Sequence, residues 1–302
     1  MSGYLALSVD LAGLGDVDEL SAAAEAACFD AGALSVTLTD AVDDAILEPA
    51  PGEVRLWPQT VLQAVFDADA FNAASIVLLA AAIGVRPDAI RAERVADRVW
   101  EREWLRDFHA MRFGARVWIV PSHEQPPADP QAVIVKLDPG LAFGTGTHPS
   151  TALCLEWLDG NLHAGQAVID YGCGSGVLAV AAARLGATKV HAFDIDPQAL
   201  IATRDNAEAN QVAARIAIHD IEATLPKRVD VVLANILAGT LIELAPRLTD
   251  LARPGGHLVL AGILDEQAPE VRAAFAPHAT LDVCGRRDGW TALAGMRRAA
   301  SA

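Results

Sequence analysis

Val168-Ile-Asp-Tyr-Gly-Cys-Gly-Ser-Gly-Val-Leu-Ala179 reads as a buried strand that runs into a glycine turn and then a helix. Asp170, Gly172, Gly174 and Gly176 stand at alternate positions, so the turn is tight and nearly bare of side chains. A ligand can approach the backbone there, beside the positive end of the following helix. About twenty residues on, the spacing typical of a βαβ unit, Val190-His-Ala-Phe-Asp194 is a second apolar strand ending in a carboxylate. The two strand ends of such a crossover are neighbours, and an acid at the second can accept from a ribose diol. The stretch predicts a site for an adenosyl ligand.

Two cofactors compete for this pattern. Gly174-x-Gly176-x-x-Ala179 satisfies the loose dinucleotide fingerprint. The tighter Asp170-x-Gly172-x-Gly174-x-Gly176 is similar to the turn of S-adenosylmethionine (SAM) methyltransferases. A carboxylate at position 170 repels a pyrophosphate but supports the ammonium and sulfonium of SAM. A glycine turn kept for packing alone is the plain alternative.

With 302 residues the chain has room for two domains, each with its own core. The start, Met1-Ser-Gly-Tyr-Leu-Ala6, has no basic region and no long apolar run, so no signal peptide is expected. No uncharged apolar run reaches the length of a membrane helix. Cys28, Cys154, Cys173 and Cys284 lack Cys-x-x-Cys spacing, which argues against zinc and against a disulfide framework. A cytoplasmic, soluble, monomeric enzyme is expected. Residues 1–97 hold 16 acidic side chains against four arginines and no lysine. Such a lobe repels phosphates and disfavours direct contact with nucleic acid, while it suits a basic protein or peptide. Solubility alone accounts for the same charge.

Residues 1–97 predict a small ferredoxin-like α+β sandwich in the order β-α-β-β-α-β. The strands fall at Tyr4–Val9, Ala33–Thr39, Thr60–Phe66 and Ile90–Val95, the helices at Asp16–Ala31 and Asp69–Ile83. Asp16 reads as a helix cap, and Glu48-Pro-Ala-Pro-Gly52 as a connection. No catalytic cluster appears in this lobe, so it reads as a recognition domain. Trp100, Trp104 and Phe108 share a helical face, which predicts an interdomain linker helix over 98–116. His109 has no partner nearby in sequence and receives no role.

The rest, 117–302, alternates strand and helix in the manner of a doubly wound, Rossmann-like parallel sheet. Asp138-Pro-Gly-Leu-Ala-Phe-Gly-Thr-Gly-Thr-His-Pro-Ser-Thr151 is too rich in glycine for a helix and lacks the ending of a phosphate loop. Ser150 or Thr151 is expected to open a helix over Ala152–Leu158, whose first amides suit the carboxylate of an amino-acid moiety. Phe143 is a candidate cover for the ligand. Asp196-Pro197 marks a helix start, which leaves Asp194 for the ribose. Asp220 and Ile221 follow the next strand and either border the adenine or lie in a solvated loop. Val229–Asn235 predicts a strand that delivers Asn235 to the reacting methyl; the same residue also reads as a cap for the helix after it. Further strands are expected at His257–Leu260, after Arg253-Pro-Gly-Gly256, and on either side of Arg286-Arg-Asp-Gly289. Asp288-Gly289 signals a hairpin, so the parallel sheet should close with an antiparallel pair, unlike a plain dinucleotide-binding domain.

These motifs together resemble those of the PrmA family, the methyltransferases of the large-subunit ribosomal protein L11. Asp138–Thr151, Asp170–Gly176, Asp194-Ile-Asp-Pro197, Asn235-Ile-Leu-Ala238, Trp100–Phe113 and Asp288-Gly-Trp-Thr-Ala-Leu293 carry the resemblance. It implies a class I methyltransferase domain over 117–302 and SAM-dependent N-methylation of a basic ribosomal protein on lysine side chains and the N-terminal α-amine. It further implies that residues 1–97 recognise the protein substrate. Carried onto this chain, SAM contacts come from Thr151, Gly172, Asp194 and Asn235, with Gly174 in the turn and Phe143 above it. Asn235 is the candidate for orienting the amine; no general base and no metal ligand emerge. A methyltransferase of a small metabolite, or of another basic protein, is the alternative.

Overall fold

The computed structural model describes residues 4–12, 17–41, 59–68, 71, 73–95, 109–138 and 148–299. They belong to two compact units, Met1–Trp100 and Glu101–Ala302. Asp16, the connection at 48–52, Trp100, Trp104, Phe108 and Phe143 lie outside the described residues.

In the first unit, β1 (Tyr4–Asp10), α1 (Val17–Asp30), β2 (Ser35–Asp40), β3 (Thr60–Asp67), α2 (Ala73–Ile83) and β4 (Arg91–Val95) follow in order. The strands lie β2-β3-β1-β4, and each neighbouring pair is antiparallel. Period-2 alternation sends Leu7, Val9, Leu62, Ala64 and Phe66 to one face, where they pack on Ala24, Cys28, Leu79, Ala80 and Ile83 of the helices. This is the ferredoxin-like order.

The second unit opens with a three-stranded sheet of β5 (Met111–Phe113), β6 (Val117–Val120) and β7 (Val133–Lys136). The linker helix expected over 98–116 therefore does not extend through 111–113. Gly114, at φ 65°, reverses the chain there, and Met111–Phe113 pairs back on Val117–Ile119. Alternating apolar residues before a glycine satisfy a strand as well as a helix, and the turn decides.

The main body comprises α3 (Pro149–Asn161), β8 (Ala167–Tyr171), α4 (Val177–Arg184), β9 (Lys189–Phe193), α5 (Pro197–Ala209) and β10 (Ile216–His219). After these come β11 (Val229–Asn235), α6 (Ala238–Glu243), α7 (Ala245–Leu251), β12 (Ala252–Leu264), α8 (Ala268–Phe275), β13 (Ala279–Arg287) and β14 (Trp290–Arg297). Its seven strands lie β10-β9-β8-β11-β12-β14-β13, parallel from β10 to β12, with β14 antiparallel to both its neighbours. The mainly parallel sheet with its closing hairpin is the Rossmann-like class I arrangement that the motifs led one to expect. Asp288 and Gly289 make the hairpin turn with φ 48° and 80°, the pair of positive values that a type I′ turn requires.

Val231 and Leu233 of β11 pack on one side of the sheet with α3 and α4, and Val232 and Ala234 on the other side with α6 and α7. All four are inaccessible to solvent. A strand covered on both faces cannot alternate, hence its unbroken apolar run. Each such Val or Leu contributes about 1.5–3 kcal/mol on burial.

Helix α3 starts earlier than expected. His148 occupies its cap position, where Nδ1 receives the Ser150 N–H, and Pro149 takes the first turn. Thr151 thus lies inside the helix rather than ahead of it. Among the described residues no helix is long and apolar enough to cross a membrane.

Candidate active site at the sheet switch point

The strand order reverses between β8 and β11, and a parallel sheet opens a crevice at the carboxyl ends of such a pair. Tyr171 pairs with Phe193 on one side and with Ala234 on the other. The next residues along the three strands are Gly172, Asp194 and Asn235. The register therefore brings together three of the residues picked out in the sequence.

The glycine turn needs its glycines. Gly172, Gly174 and Gly176 have φ of 77°, 53° and 76°. A Cβ on Gly172 would collide with Ile236 Cγ2, and one on Gly176 would stand 2.7 Å from Thr203 Oγ1. Phe193 O accepts the N–H groups of Gly172 and Cys173 at 2.8 and 3.0 Å, which docks the turn on β9. Asp194 receives the Gly174 N–H on Oδ2 at 2.9 Å and the Asp196 N–H on Oδ1 at 3.0 Å, and remains partly exposed. Asp196 caps α5, accepting the Gln198 N–H at 2.9 Å.

Asp170 is wholly buried beneath this turn. Its Oδ2 accepts the Ala179 N–H of α4 at 2.9 Å, and its Oδ1 has no partner among the described residues. Burial, aided by the charge of Asp194, pushes its pKa up to about 7 against the pull of the Ala179 N–H.

Across the crevice, Asn235 Nδ2 donates to Thr151 Oγ1 at 3.2 Å. Asn235 is not a helix cap: Leu237 holds that position before α6, with no side-chain cap bond. Its Oδ1 has no hydrogen bond to any described residue. Beside the first turn of α3, the His148 ring meets Trp290 of β14 edge-on, with centroids 4.5 Å apart. That contact joins the end of the Asp138–Thr151 motif to the closing hairpin.

Two sets of residues escaped the sequence reading. Helix α5 grips the turn: Thr203 Oγ1 donates to Gly174 O at 3.1 Å and Asn206 Nδ2 to Ser175 O at 2.8 Å. Ile195 and Leu237, which follow β9 and β11, expose 88% and 58% of their surface at the carboxyl end of the sheet, as Ile221 after β10 exposes 58%. Large apolar side chains within two residues of a polar strand end were the signal available for Ile195 and Leu237. A relay orders the segment that carries Ile221. His191 Nδ1 meets His219 Nε2 at 2.9 Å, His219 Nδ1 meets Thr224 Oγ1 at 2.7 Å, and Thr224 Oγ1 donates to Ile221 O. Because the Thr224 hydroxyl proton is spent on Ile221, the His219 Nδ1 carries the proton and His191 Nδ1–H donates in turn. Among the described residues no group of His, Cys, Asp and Glu is arranged to hold a metal ion.

The family described as ribosomal protein L11 methyltransferase (PrmA) matches residues 17–298. A ribosomal protein L11 methyltransferase of Pseudomonas aeruginosa is 53% identical over 91% of this chain and 94% of its own length. One of Pectobacterium carotovorum is 48% identical over 90% and 93%. The crystal structure of a ribosomal protein L11 methylase from Lactobacillus delbrueckii subsp. bulgaricus covers 64% of this chain and 100% of its own, at 33% identity and a TM-score of 0.59.

Proposed function

The chain belongs to the ribosomal protein L11 methyltransferase (PrmA) family, and on that premise we propose that it transfers methyl groups from SAM to lysine side chains and the N-terminal α-amine of ribosomal protein L11. The observation that carries the site assignment is the orphaned oxygen of Asp170. A fully buried carboxyl with one oxygen unpartnered either keeps a proton or is completed by a cation. The ammonium and sulfonium of SAM suit that need, and the bare backbone of the adjacent turn suits close approach.

Asp170 and the turn at Gly172 and Gly174 would hold the amino-acid end of the donor, with Thr151 from the first turn of α3. Asp194 would take the ribose hydroxyls, since a carboxylate keeps lone pairs beyond the two it lends to Gly174 and Asp196. Ile195 and Ile221 offer apolar flanks for the base. Phe143, outside the described residues, is retained as a cover for the ligand. When bound, SAM supplies an electrophilic methyl group on its sulfonium.

What the chain must supply is placement and a dry environment for a neutral amine. A lysine amine has an ordinary pKa near 10.4 and an α-amine near 8, so the lysine is the harder substrate. Apolar walls such as Ile236 and Leu237 disfavour the ammonium form and help its proton leave to solvent. Asn235 Oδ1 accepts one N–H of the incoming amine and so directs its lone pair, while Thr151 fixes the orientation of the amide. No side chain here is assigned as a general base.

Unit Met1–Trp100 we assign to recognition of the protein substrate, its acidity matching a basic ribosomal protein. The same acidity supports the reading that nucleic acid is not a direct partner. A ribosomal protein as substrate supports a cytoplasmic location, and action as a monomer is proposed with it. The deciding experiment incubates the chain with purified L11 and labelled SAM and maps the label by mass spectrometry. Label on lysine and N-terminal amines is expected. Label confined to other side chains, or none, overturns the assignment.

A further inference from the structure

Three of the four backbone polar groups of Gly174 and Ser175 are held by side chains from the segment that runs from the end of β9 into α5. Asp194 takes the Gly174 N–H at 2.9 Å, Thr203 Oγ1 donates to Gly174 O at 3.1 Å, and Asn206 Nδ2 donates to Ser175 O at 2.8 Å. Thr203 is fully buried and Asn206 half-buried. A run of glycines keeps one shape only where its surroundings impose it, because each loses more backbone freedom on ordering than any other residue.

The peptide unit is planar with its C=O and N–H opposed, so holding a carbonyl toward α5 turns the next N–H away from it. Thr203 thereby sets the direction of the Ser175 N–H, and Asn206 that of the Gly176 N–H, which donates to Cys173 O at 2.8 Å. Asp194 has a second task if it binds the ribose; Thr203 and Asn206 do not. The grip is itself anchored. The Asn206 carbonyl accepts Asn210 Nδ2 at 2.8 Å, and the Asn210 amide pairs with both backbone groups of Lys136 in β7, each at 2.7 Å. Thr203, Asn206 and Asn210 stand at i, i+3 and i+7, one stripe along α5 that ends on its C-cap residue.

We propose that Thr203 and Asn206 are positioning residues for the methyl donor, presetting the glycine turn so that donor binding need not order it. The proposal rests on the reading of this turn as the SAM site. It predicts a loss confined to the donor. One hydrogen bond to a preorganised backbone group corresponds to roughly a fivefold to tenfold change in affinity.

The test uses the full chain with Thr203→Val, Thr203→Ser and Asn206→Ala. Calorimetric titration with SAM, steady-state methylation of L11 and melting without ligand are measured for each. Thr203→Val and Asn206→Ala should raise the Kd and KM for SAM together by roughly fivefold to tenfold. The kcat at saturating SAM and the KM for L11 should stay within about twofold, a split that general loosening would not produce. Thr203→Ser keeps the hydroxyl and should keep the parent affinity. A Kd within about twofold of the parent in both variants, with or without a lower Tm, overturns the proposal. Should Thr203→Val fail to fold, Asn206→Ala decides, since it trims a half-exposed side chain. Failure of the parent chain to bind SAM overturns the site reading and this proposal together; binding by the parent that is unchanged in the variants overturns this one alone.

Discussion

Asn235 and Thr151, 84 residues apart in sequence, are joined by a 3.2 Å hydrogen bond from Nδ2 to Oγ1 that spans the crevice from β11 to α3. The bond decides which end of the amide is left for a substrate. With Nδ2 held by Thr151, the amide oxygen keeps both lone pairs, and an acceptor there would suit the N–H of an attacking amine. Asn235→Ala should lower turnover at saturating SAM by roughly a hundredfold, the usual loss for one oriented polar group at a reacting centre. Thr151→Val should cost roughly tenfold, and at saturating SAM the turnover of the double variant should be no lower than that of Asn235→Ala alone, since the part of Thr151 that orients the amide works through Asn235. Additive losses in turnover at saturating SAM would separate the two residues.

Asp194 is tested by an isosteric change. Asp194→Asn keeps an oxygen for the Gly174 N–H but removes the charge and half the acceptors offered to a ribose. Charged hydrogen bonds are worth about 1.5–3 kcal/mol, so SAM affinity should fall by roughly ten- to a hundredfold. S-adenosylhomocysteine has the same ribose, and calorimetry should record the same loss for it.

The elevated pKa of Asp170, about 7, links the site to pH. The native carboxyl keeps a proton that the unfolded chain gives up near the ordinary value of 3.8. The contribution of this group to stability is therefore highest below about pH 4, declines as pH rises toward about 7, and is level above that. A bound cation favours the ionised form, so SAM binding should release a proton below pH 7 and tighten as pH rises to that point. Titrations in buffers of different ionisation enthalpy read the proton directly, and Asp170→Asn should abolish its release.

Gly172 tests the close approach of Ile236. Gly172→Ala places a Cβ at φ 77° against the Ile236 methyl, and about 1–3 kcal/mol of stability should be lost. Adding Ile236→Ala removes the collision but not the unfavourable φ, so melting should show part of the loss restored. Full restoration would mean that the backbone conformation costs nothing here.

The sequence was most legible where backbone geometry demands a residue type. The glycines of 172–176, the acid at 194, the Asp196-Pro197 helix start and the Asp288-Gly289 turn each have few structural meanings. It was least legible where ordinary residues act through distant partners. Thr203, Asn206 and Asn210 look like the polar side of an amphipathic helix, and nothing local reveals that the glycine turn and β7 lie against them. His148 caps α3 although histidine is seldom chosen for that position, so Ser150 and Thr151 drew attention first. Met111–Phe113 fits strand and helix equally until Gly114 turns the chain.

The last of the described strands in chain order, β14, lies inside the sheet and not at its border, with β12 on one side and β13 on the other. Until it arrives, β12 has one bare flank and β13 has no partner at all. Nascent chains short of Trp290 thus display two unsatisfied ladders, and prematurely ended products should clump instead of folding in part. Closure of this sheet therefore waits on a strand that follows both of its neighbours in the chain.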